Sequence, residues 1–374
     1  MHSAAAASNP KRAGDAGRQF ARWSHWCSMF NQCPTLANLD DPFPFLACYA
    51  YGYQCGELAP GGSKVRARTA ENAIRLIGQT LENLGYDDPR FNVKTHRMDK
   101  RFSRLWKDWK HYDDPPRRVK PIPLLILIEA QRLAEVSGSV ALLTTARLMW
   151  IAYFFLCRPG EYCATVDSNH FFRLRDVCLF LGGRVLDLMR ASEGALLAAD
   201  CAMLEFTDQK NCRRGEKTTQ CHSGHPVASA TRAIARQVLH LRAHSAAPDT
   251  PLCAYMHGGT WYMVTPPMVT NLLRQAAARV GAAYGVRPED ISARSLRGSG
   301  AMAMLCAGID SVKTRLMGRW NSDSMLDYLH IQLPTLIKDF ARKMLKAGGY
   351  SLLPGTPTHN LVHNVQAANL YLEA

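Results

Sequence analysis

The N-terminal part of the chain is patterned as a series of amphipathic helices. From Arg18 onward, apolar residues recur at intervals of three and four, the spacing of one helix face, and they are Phe20, Trp23, Trp26, Cys27 and Phe30. Three further helical stretches, separated by turns containing Pro and Gly, run from Phe43 to Gln54, from Arg66 to Leu84 and from Lys100 to His111. We therefore predict an all-helical domain over residues 16–112, preceded by a small-residue, polar, disordered tail over 1–15.

A proline-rich segment follows this region. Residues 113–123 read DDPPRRVKPIP, and their four prolines exclude a helix. We interpret the segment as an extended linker between two domains, a number that the length of 374 residues also favours.

The pattern after the linker is mixed. The predicted elements are helices over 124–136 and 141–156, strands over 171–181 and 202–208, and mainly helices from 229 to 346. The polar run 209–215 separates two extended segments, which predicts a hairpin loop. The expected fold class is mostly α with a small β-sheet (α+β), with the second domain over 124–347 and a C-terminal tail over 348–374.

The charge of the chain indicates a polyanionic partner. The formal net charge is +14, the isoelectric point is near 9.3, and the basic excess is spread along the chain. Spread positive charge suits a nucleic-acid backbone, because each neutralised phosphate releases condensed counterions. An anionic membrane surface is the rival partner. The sequence has no run of 18 apolar residues and no signal-peptide core, so we expect no membrane partner.

The cysteines indicate a reducing compartment. Twelve cysteines at irregular spacing do not resemble a secreted disulfide scaffold, so we expect an intracellular protein, nuclear in a eukaryote and cytoplasmic in a bacterium. Cys212, Cys221, His222 and His225 could supply zinc ligands. Their spacing matches neither a CxxC pair nor a zinc finger, and we predict no metal site.

Basic residues interleaved with aromatic residues predict a DNA-binding face on the first domain. The alternative is an ordinary solvated surface, which is what charged stretches usually form. The candidate DNA contacts in this domain are Arg18, Arg22, Arg66, Arg68, Lys100, Arg104 and Lys107. Arg213 and Arg214, in the loop over 209–215, are further candidates.

Two short motifs in the second domain carry candidate chemistry around a basic residue. In FLCRPGEY, Arg158 follows an apolar helix and Glu161 stands three residues later. Arg158 is either a cap for the helix C-terminus or a clamp for a phosphate. In EFTDQK, Lys210 lies at the end of a strand beside the predicted hairpin loop, where a lysine is usually just solvated.

Two later motifs add arginines and a tyrosine. ISARSLRGSGAMAMLCAGID places Arg294 and Arg297 one turn apart, on one face of a predicted helix whose small residues permit close packing. MGRWNSDSMLDYLH places Arg319 and Trp320 ahead of Tyr328. Taken alone, Tyr328 is typical of a core tyrosine on an amphipathic helix.

The order and spacing of the four motifs resemble the catalytic domain of tyrosine recombinases, the phage-integrase family of DNA breaking and rejoining enzymes. The likeness runs from Arg117 to Met344, and the helical first domain resembles the core-binding domain of the same family. The roles that the resemblance implies are catalytic arginines at Arg158 and Arg297, a supporting acid at Glu161, a hairpin lysine at Lys210 and the nucleophile at Tyr328.

Two positions depart from the family pattern. The residue three before the second arginine is usually His and here is Arg294, which can stabilise charge but is a poor proton shuttle. We therefore expect a slow reaction or none. The later His-or-Trp position falls on Arg319 by counting nine residues back from Tyr328 and on Trp320 by residue type, and we prefer Trp320.

The chemistry of these residue types suits phosphoryl transfer. Two guanidiniums can donate paired hydrogen bonds to the non-bridging oxygens of an attacked phosphate. A tyrosine, with a reference pKa near 10, needs cationic neighbours to become a nucleophile, and a lysine can protonate the leaving oxygen. The resemblance implies a 3′-phosphotyrosyl intermediate, with no cofactor, no metal and no small-molecule substrate.

The resemblance also implies the partners. They are double-stranded DNA and further copies of the chain, which would form a homo-oligomer (a tetramer) on DNA by exchanging the segment 333–345. Two alternatives remain open: a DNA-binding protein that has lost strand exchange, and a DNA-relaxing enzyme of the type IB topoisomerase kind.

Overall fold

The protein consists of two compact units, residues 1–117 and 118–374. The structure is a computed structural model that describes residues 10–92, 95–114, 119–165, 170–207 and 215–320. Each unit has its own hydrophobic core. Within the described ranges, no helix is both long and apolar enough to cross a bilayer.

Unit 1 is helical throughout its regular structure. Its helices are α1 (Pro10–Met29), α2 (Phe43–Cys55), α3 (Ala67–Asn83) and α4 (Lys100–Tyr112). Trp23, Tyr49, Ile77 and Phe102, one from each helix, are fully or almost fully buried, and the first two rings meet edge to face with centroids 5.0 Å apart. The all-helical prediction for this region is confirmed.

Helix α1 begins earlier than its apolar pattern predicted. It starts at Pro10, inside the segment predicted as a disordered tail. Proline suits the first turn of a helix because its φ is already fixed near the helical value and its missing N–H is not needed there. Arg18 and Asp15 form an ion pair of 2.6 Å across one turn. Among residues 13–17, whose side chains the structure describes, none is buried, so this part of the helix has no apolar pattern to predict it.

The two ends of the predicted linker are held by their own units. The Asp113 carboxylate accepts hydrogen bonds of 3.0 and 3.2 Å from the backbone N–H of Ala67, the first residue of α3. In unit 2, the Ile122 side chain is buried, and its backbone N–H donates to Ser299 Oγ at 2.7 Å. Residues 119–123 adopt no regular secondary structure, as predicted for a segment rich in proline.

Unit 2 combines eight helices with two small sheets among its described residues. The helices are α5 (Leu124–Ser137), α6 (Val140–Phe154), α7 (Pro159–Tyr162), α8 (Glu193–Leu197), α9 (Ala230–Ala243), α10 (Pro266–Val280), α11 (Ser295–Cys306) and α12 (Ser311–Met317). The strands are β1 (Val177–Leu181), β2 (Arg184–Val185), β3 (Cys201–Phe206), β4 (Glu216–Cys221), β5 (Ala254–His257) and β6 (Thr260–Met263). The predicted fold class, mostly α with a small β-sheet, is confirmed.

The sheets are antiparallel. The larger has the order β2-β1-β3-β4, and β3 pairs with β4 from Cys201 opposite Cys221 to Phe206 opposite Glu216. The strand predicted over 171–181 is wrong in its first half, where a short 3₁₀ turn over Leu174–Asp176 precedes β1. The pair β5-β6 was not predicted at all, since mainly helices were expected from residue 229 onward.

Helix α6 is the centre of unit 2. It is apolar around almost its whole circumference and packs against α5, α9, α10 and α11. Gly300 of α11 lies so close to the end of α6 that an added Cβ would overlap the Tyr153 carbonyl oxygen and a methyl carbon of Leu156. The small residue predicted to permit close packing therefore does so, and it brings the start of α11 to the end of α6.

Candidate active site

The site forms where α6 ends. The helix stops at Phe154, and Leu156 then adopts a left-handed conformation with φ of +51°. A branched residue seldom takes this conformation, and the surrounding packing must hold it there. The carbonyl oxygens of Phe155 and Leu156 both accept hydrogen bonds from arginine side chains. The negative end of the α6 dipole also stabilises positively charged groups at this position.

Arg158 is the partly exposed arginine of the site. It precedes α7 instead of capping α6, so of the two roles predicted for it, the helix C-terminal cap is wrong. Its Nη1 donates to Glu161 Oε1 at 3.0 Å, and its backbone N–H donates to Glu161 Oε2 at 2.7 Å. The Arg158 side chain remains 27% exposed while that of Glu161 is 7% exposed. Its guanidinium can therefore reach a ligand from solvent without leaving the carboxylate.

Arg297 is the buried arginine, and it comes from α11. Nη1 donates to the Leu156 carbonyl at 2.9 Å, Nη2 donates to the Gly318 carbonyl, and the guanidinium carbon lies 4.3 Å from the centre of the Trp320 ring. Burial, and after it the charge of Arg158, lowers the pKa of Arg297 to about 9. The guanidinium is still protonated at neutral pH and keeps its charge inside the protein.

Arg319 follows α12 and points into the same cluster. Its backbone φ is +56°, and its Nη2 donates to Glu161 Oε2 at 3.1 Å. Glu161 thus lies between two arginines, with Arg158 on one oxygen and Arg319 on the other. Three guanidiniums around one carboxylate leave a surplus of positive charge, which favours an anionic ligand such as a phosphate.

Arg294 is placed differently from its predicted role. It was expected to share a helix face with Arg297, but it stands before the first helical residue of α11 as the N-cap. Its side chain is exposed, whereas Arg297 is buried. The two arginines lie one turn apart at the start of α11, as predicted from their spacing, but one guanidinium is exposed and the other is buried.

Several of the other predictions for the second domain fall outside the described residues. They are Lys210, Arg213, Arg214, Tyr328, the exchange segment 333–345 and the tail 348–374. Cys212 of the rejected zinc set also lies outside them. His225 accepts backbone hydrogen bonds of 2.9 and 3.1 Å on Nδ1. Within the described ranges, no three metal-ligating side chains come together.

Two residues of the site were not predicted. Leu156 supplies the carbonyl that both buried arginines share, and Phe206, at the end of β3, presents its ring 3.6 Å from the guanidinium carbon of Arg319. The sequence gives no signal for Leu156, because nothing in a leucine indicates a left-handed backbone. Phe206 reads only as an apolar strand residue.

The chain is similar in structure to known integrases and recombinases. No family model and no curated protein matches it. Among solved structures it is similar to a fragment of the Tn1549 transposon integrase bound to circular intermediate DNA, at 12% identity and a TM-score of 0.42, over 79% of this chain and 84% of that one. A tyrosine-to-phenylalanine form of that integrase with transposon right end DNA has 10% identity, a TM-score of 0.43 and coverage of 88% and 99%.

XerA recombinase is a third similar structure, at 12% identity and a TM-score of 0.35, over 88% of this chain and 98% of that one. Each of the three is an integrase or a recombinase. At these identities and TM-scores the likeness carries no residue roles across.

The candidate DNA contacts of unit 1 differ in whether their charged groups already bind other side chains. Lys100, Arg104 and Lys107 are exposed and lie along one stripe of α4, opposite the buried Phe102 and Trp106. Among the described residues, the ion pairs of α4 are formed by Arg101 and Lys110 and by none of these three.

The remaining candidates of unit 1 lie on α1 and at the start of α3. Arg18 is engaged by Asp15, and Arg22 donates to Gln19 at 3.2 Å. Arg66 and Arg68 are exposed. Of the whole set, the α4 stripe is the clearest surface for a polyanion.

Proposed function

We propose that the protein carries out site-specific DNA recombination, breaking and rejoining strands through a covalent bond between Tyr328 and a 3′ phosphate. The observation that supports this is the convergence of Arg158 and Glu161, beside α7, with Arg297 of α11 into one positively charged cluster. A cluster of guanidiniums with a single carboxylate suits a phosphodiester better than a neutral substrate.

The arginines would act on the attacked phosphate. Arg158 is exposed enough to donate hydrogen bonds to a non-bridging oxygen, and Glu161 fixes its orientation. Arg297 is held by two backbone carbonyls and the Trp320 ring, so its charge is fixed before the substrate arrives. Preorganised charge of this kind stabilises the extra negative charge of the pentavalent transition state.

The covalent step exchanges one phosphodiester bond for another. The Tyr328 oxygen would attack the phosphorus and lose its proton, and the bond from phosphorus to the 5′ oxygen would break. Lys210 is the candidate acid that gives the leaving 5′ oxygen its proton. In the second step, a 5′ hydroxyl attacks the phosphotyrosine and releases Tyr328. The bond energy is conserved, so the reaction needs no ATP.

Double-stranded DNA is the proposed partner, and a homotetramer on paired DNA sites is the expected assembly. In unit 1, the stripe of Lys100, Arg104 and Lys107 would contact the DNA backbone. Replacing Lys107 with Ala should weaken binding to all sequences and reduce the dependence of log K on log salt by about one unit. Lys110→Ala is the matched control, because Lys110 lies on the same helix and is paired with Glu71 at 2.7 Å. Equal effects of the two variants on the salt dependence would contradict the proposed surface.

The decisive experiment traps the covalent intermediate. The protein is incubated without metal with nicked suicide substrates that carry the candidate recombination ends, and protein-linked DNA is sought on a denaturing gel. We expect an adduct that is absent for Tyr328→Phe and present for Tyr284→Phe, a control at an exposed tyrosine of unit 2. An adduct that survives in Tyr328→Phe would refute the role of this tyrosine.

A DNA-binding protein without strand exchange is the second candidate function. The observation that favours it is Arg294, an exposed arginine where the family pattern has a histidine that can shuttle protons. Salt-sensitive DNA binding with no adduct from any substrate supports this reading. Relaxation of supercoiled plasmid without sequence preference would instead indicate topoisomerase-like activity.

A further inference from the structure

Arg319 is the most tightly held arginine of the site. Its side chain is 3% exposed, and its backbone occupies the left-handed region, which costs a residue other than glycine about 1–3 kcal/mol. Such a conformation persists only when the surrounding contacts over-determine it. The contacts of the guanidinium therefore indicate what this residue does.

Almost all hydrogen-bond donors of Arg319 are used by acceptors within the protein. Nη1 donates to the carbonyls of Phe155 and Met317 at 3.1 and 3.2 Å, and Nη2 donates to the Leu156 carbonyl at 3.3 Å and to Glu161 at 3.1 Å. The remaining donor, Nε, is buried and has no hydrogen-bond partner among the described residues. A guanidinium has five N–H groups, of which four are used here and the fifth is buried, so Arg319 offers none to a phosphate that arrives from solvent.

The groups that Arg319 holds belong to the other parts of the site. It fixes the Glu161 oxygen that also accepts the Arg158 backbone N–H, so Glu161 cannot turn away from Arg158. It shares the Leu156 carbonyl with Arg297. Its guanidinium carbon lies 3.6 Å from the centre of the Phe206 ring, the last residue of β3. One side chain thus links the elements that carry both proposed catalytic arginines to the end of β3.

We propose that Arg319 is a positioning residue for strand cleavage: it fixes Glu161, and through it the Arg158 guanidinium, without contacting the phosphate itself. This inference rests on the proposed function. It assigns different tasks to the two neighbours at the family's His-or-Trp position, with Arg319 directed inward and Trp320 packed against Arg297. A planar fork is needed for the task, because a lysine ammonium cannot span acceptors on three sides.

The first test uses Arg319→Lys, which keeps the charge and removes the fork. If Arg319 acts by position, the single-turnover rate of adduct formation falls roughly 10²-fold while DNA affinity is unchanged. Arg287→Lys is the control, with the same chemistry at a side chain that is 70% exposed. A wild-type rate in Arg319→Lys would show that only the charge matters, and the inference would be wrong.

A double-mutant cycle with Glu161→Gln tests whether Arg319 works through the carboxylate. We expect the double variant to be little slower than the slower single variant, because both changes release the same Arg158 side chain. Multiplying effects would mean that Arg319 acts independently, and would overturn the inference. An absence of adduct with the wild-type protein would instead count against the proposed function, so the two failures are distinguishable.

A measurement on the unaltered protein covers the case in which Arg319→Lys does not fold. The protein is treated with an arginine-modifying dicarbonyl, with and without DNA, and the modified peptides are identified by mass spectrometry. We expect Arg158 to react and to be protected by DNA, and Arg319 to stay unmodified in both samples. Modification of Arg319 that DNA prevents would place it at the phosphate and refute the positioning role.

Discussion

The contact between α11 and α6 can be tested with a single methyl group. Gly300→Ala adds a Cβ that overlaps the Tyr153 carbonyl oxygen and a Leu156 methyl carbon, and the backbone atom cannot rotate away. Overpacking destabilises a protein by up to about 3 kcal/mol, and we expect a value near that limit here. The higher helix propensity of alanine offsets about 1 kcal/mol of this loss. The net loss of about 2 kcal/mol should lower the melting temperature of unit 2 by roughly 4–8 °C.

The assay is scanning calorimetry of the full chain, with Gly194→Ala as the matched control. Gly194 lies in α8 of the same unit, and a Cβ added there meets no atom within 4 Å. We expect the control to melt at or slightly above the wild-type temperature. Gly300→Ala should also form adduct more slowly than the control, because the displaced helix end carries the Leu156 carbonyl that holds Arg297. Equal melting temperatures for the two variants would refute the close approach of α11 to α6.

Three further predictions concern single side chains. Trp320→Ala should destabilise unit 2 by about 3–5 kcal/mol in urea unfolding, whereas Trp320→Phe, which keeps a ring beneath Arg297, should lose much less; equal losses would contradict the ring contact. Asp113→Ala should cost unit 1 about 1 kcal/mol by uncapping α3, in contrast to Asp114→Ala, and equal effects would argue against the cap. Burial, and after it the charge of Arg147, lowers the pKa of His240 to about 4. As the pH falls, the unfolded chain therefore takes up this proton before the folded protein does. The free energy of unfolding that His240 contributes above pH 6.5 is lost as the pH falls toward 4. His240→Gln should flatten this decline in melting curves recorded against pH, and an unchanged slope would exclude His240 as its source.

The sequence predicts elements well where burial is periodic. Helices α2, α3 and α4 begin and end within a residue of their predicted bounds, because α3 and α4 each have one apolar face and turn-forming residues flank all three helices. The β5-β6 hairpin was missed although its signal is present. Gly258 and Gly259 both have positive φ, as a tight two-residue turn requires, and they join four-residue strands too short to show a clear alternation.

The sequence predicts which residues form the site better than it predicts how those residues are arranged. The motifs identify Arg158, Glu161 and Arg297, which the structure brings together. They do not indicate which arginine is exposed and which is buried, since arginine is usually a surface residue. The inward turn of Arg319 depends on acceptors at Phe155 and Glu161, distant in sequence, and local patterns contain no information about such partners.

The anchoring of residues 119–123 sets a practical boundary for separating the two units. A fragment that begins at Leu124, where α5 starts, would lack the buried Ile122 side chain, worth about 1.5–3 kcal/mol, and would leave Ser299 Oγ without the N–H that it accepts in α11. Ser299 lies two residues from Arg297, so the damage would fall beside the reacting groups. Unit 2 produced by itself should therefore begin no later than Val119, and inactivity of a shorter piece would say nothing about whether unit 1 is needed for catalysis.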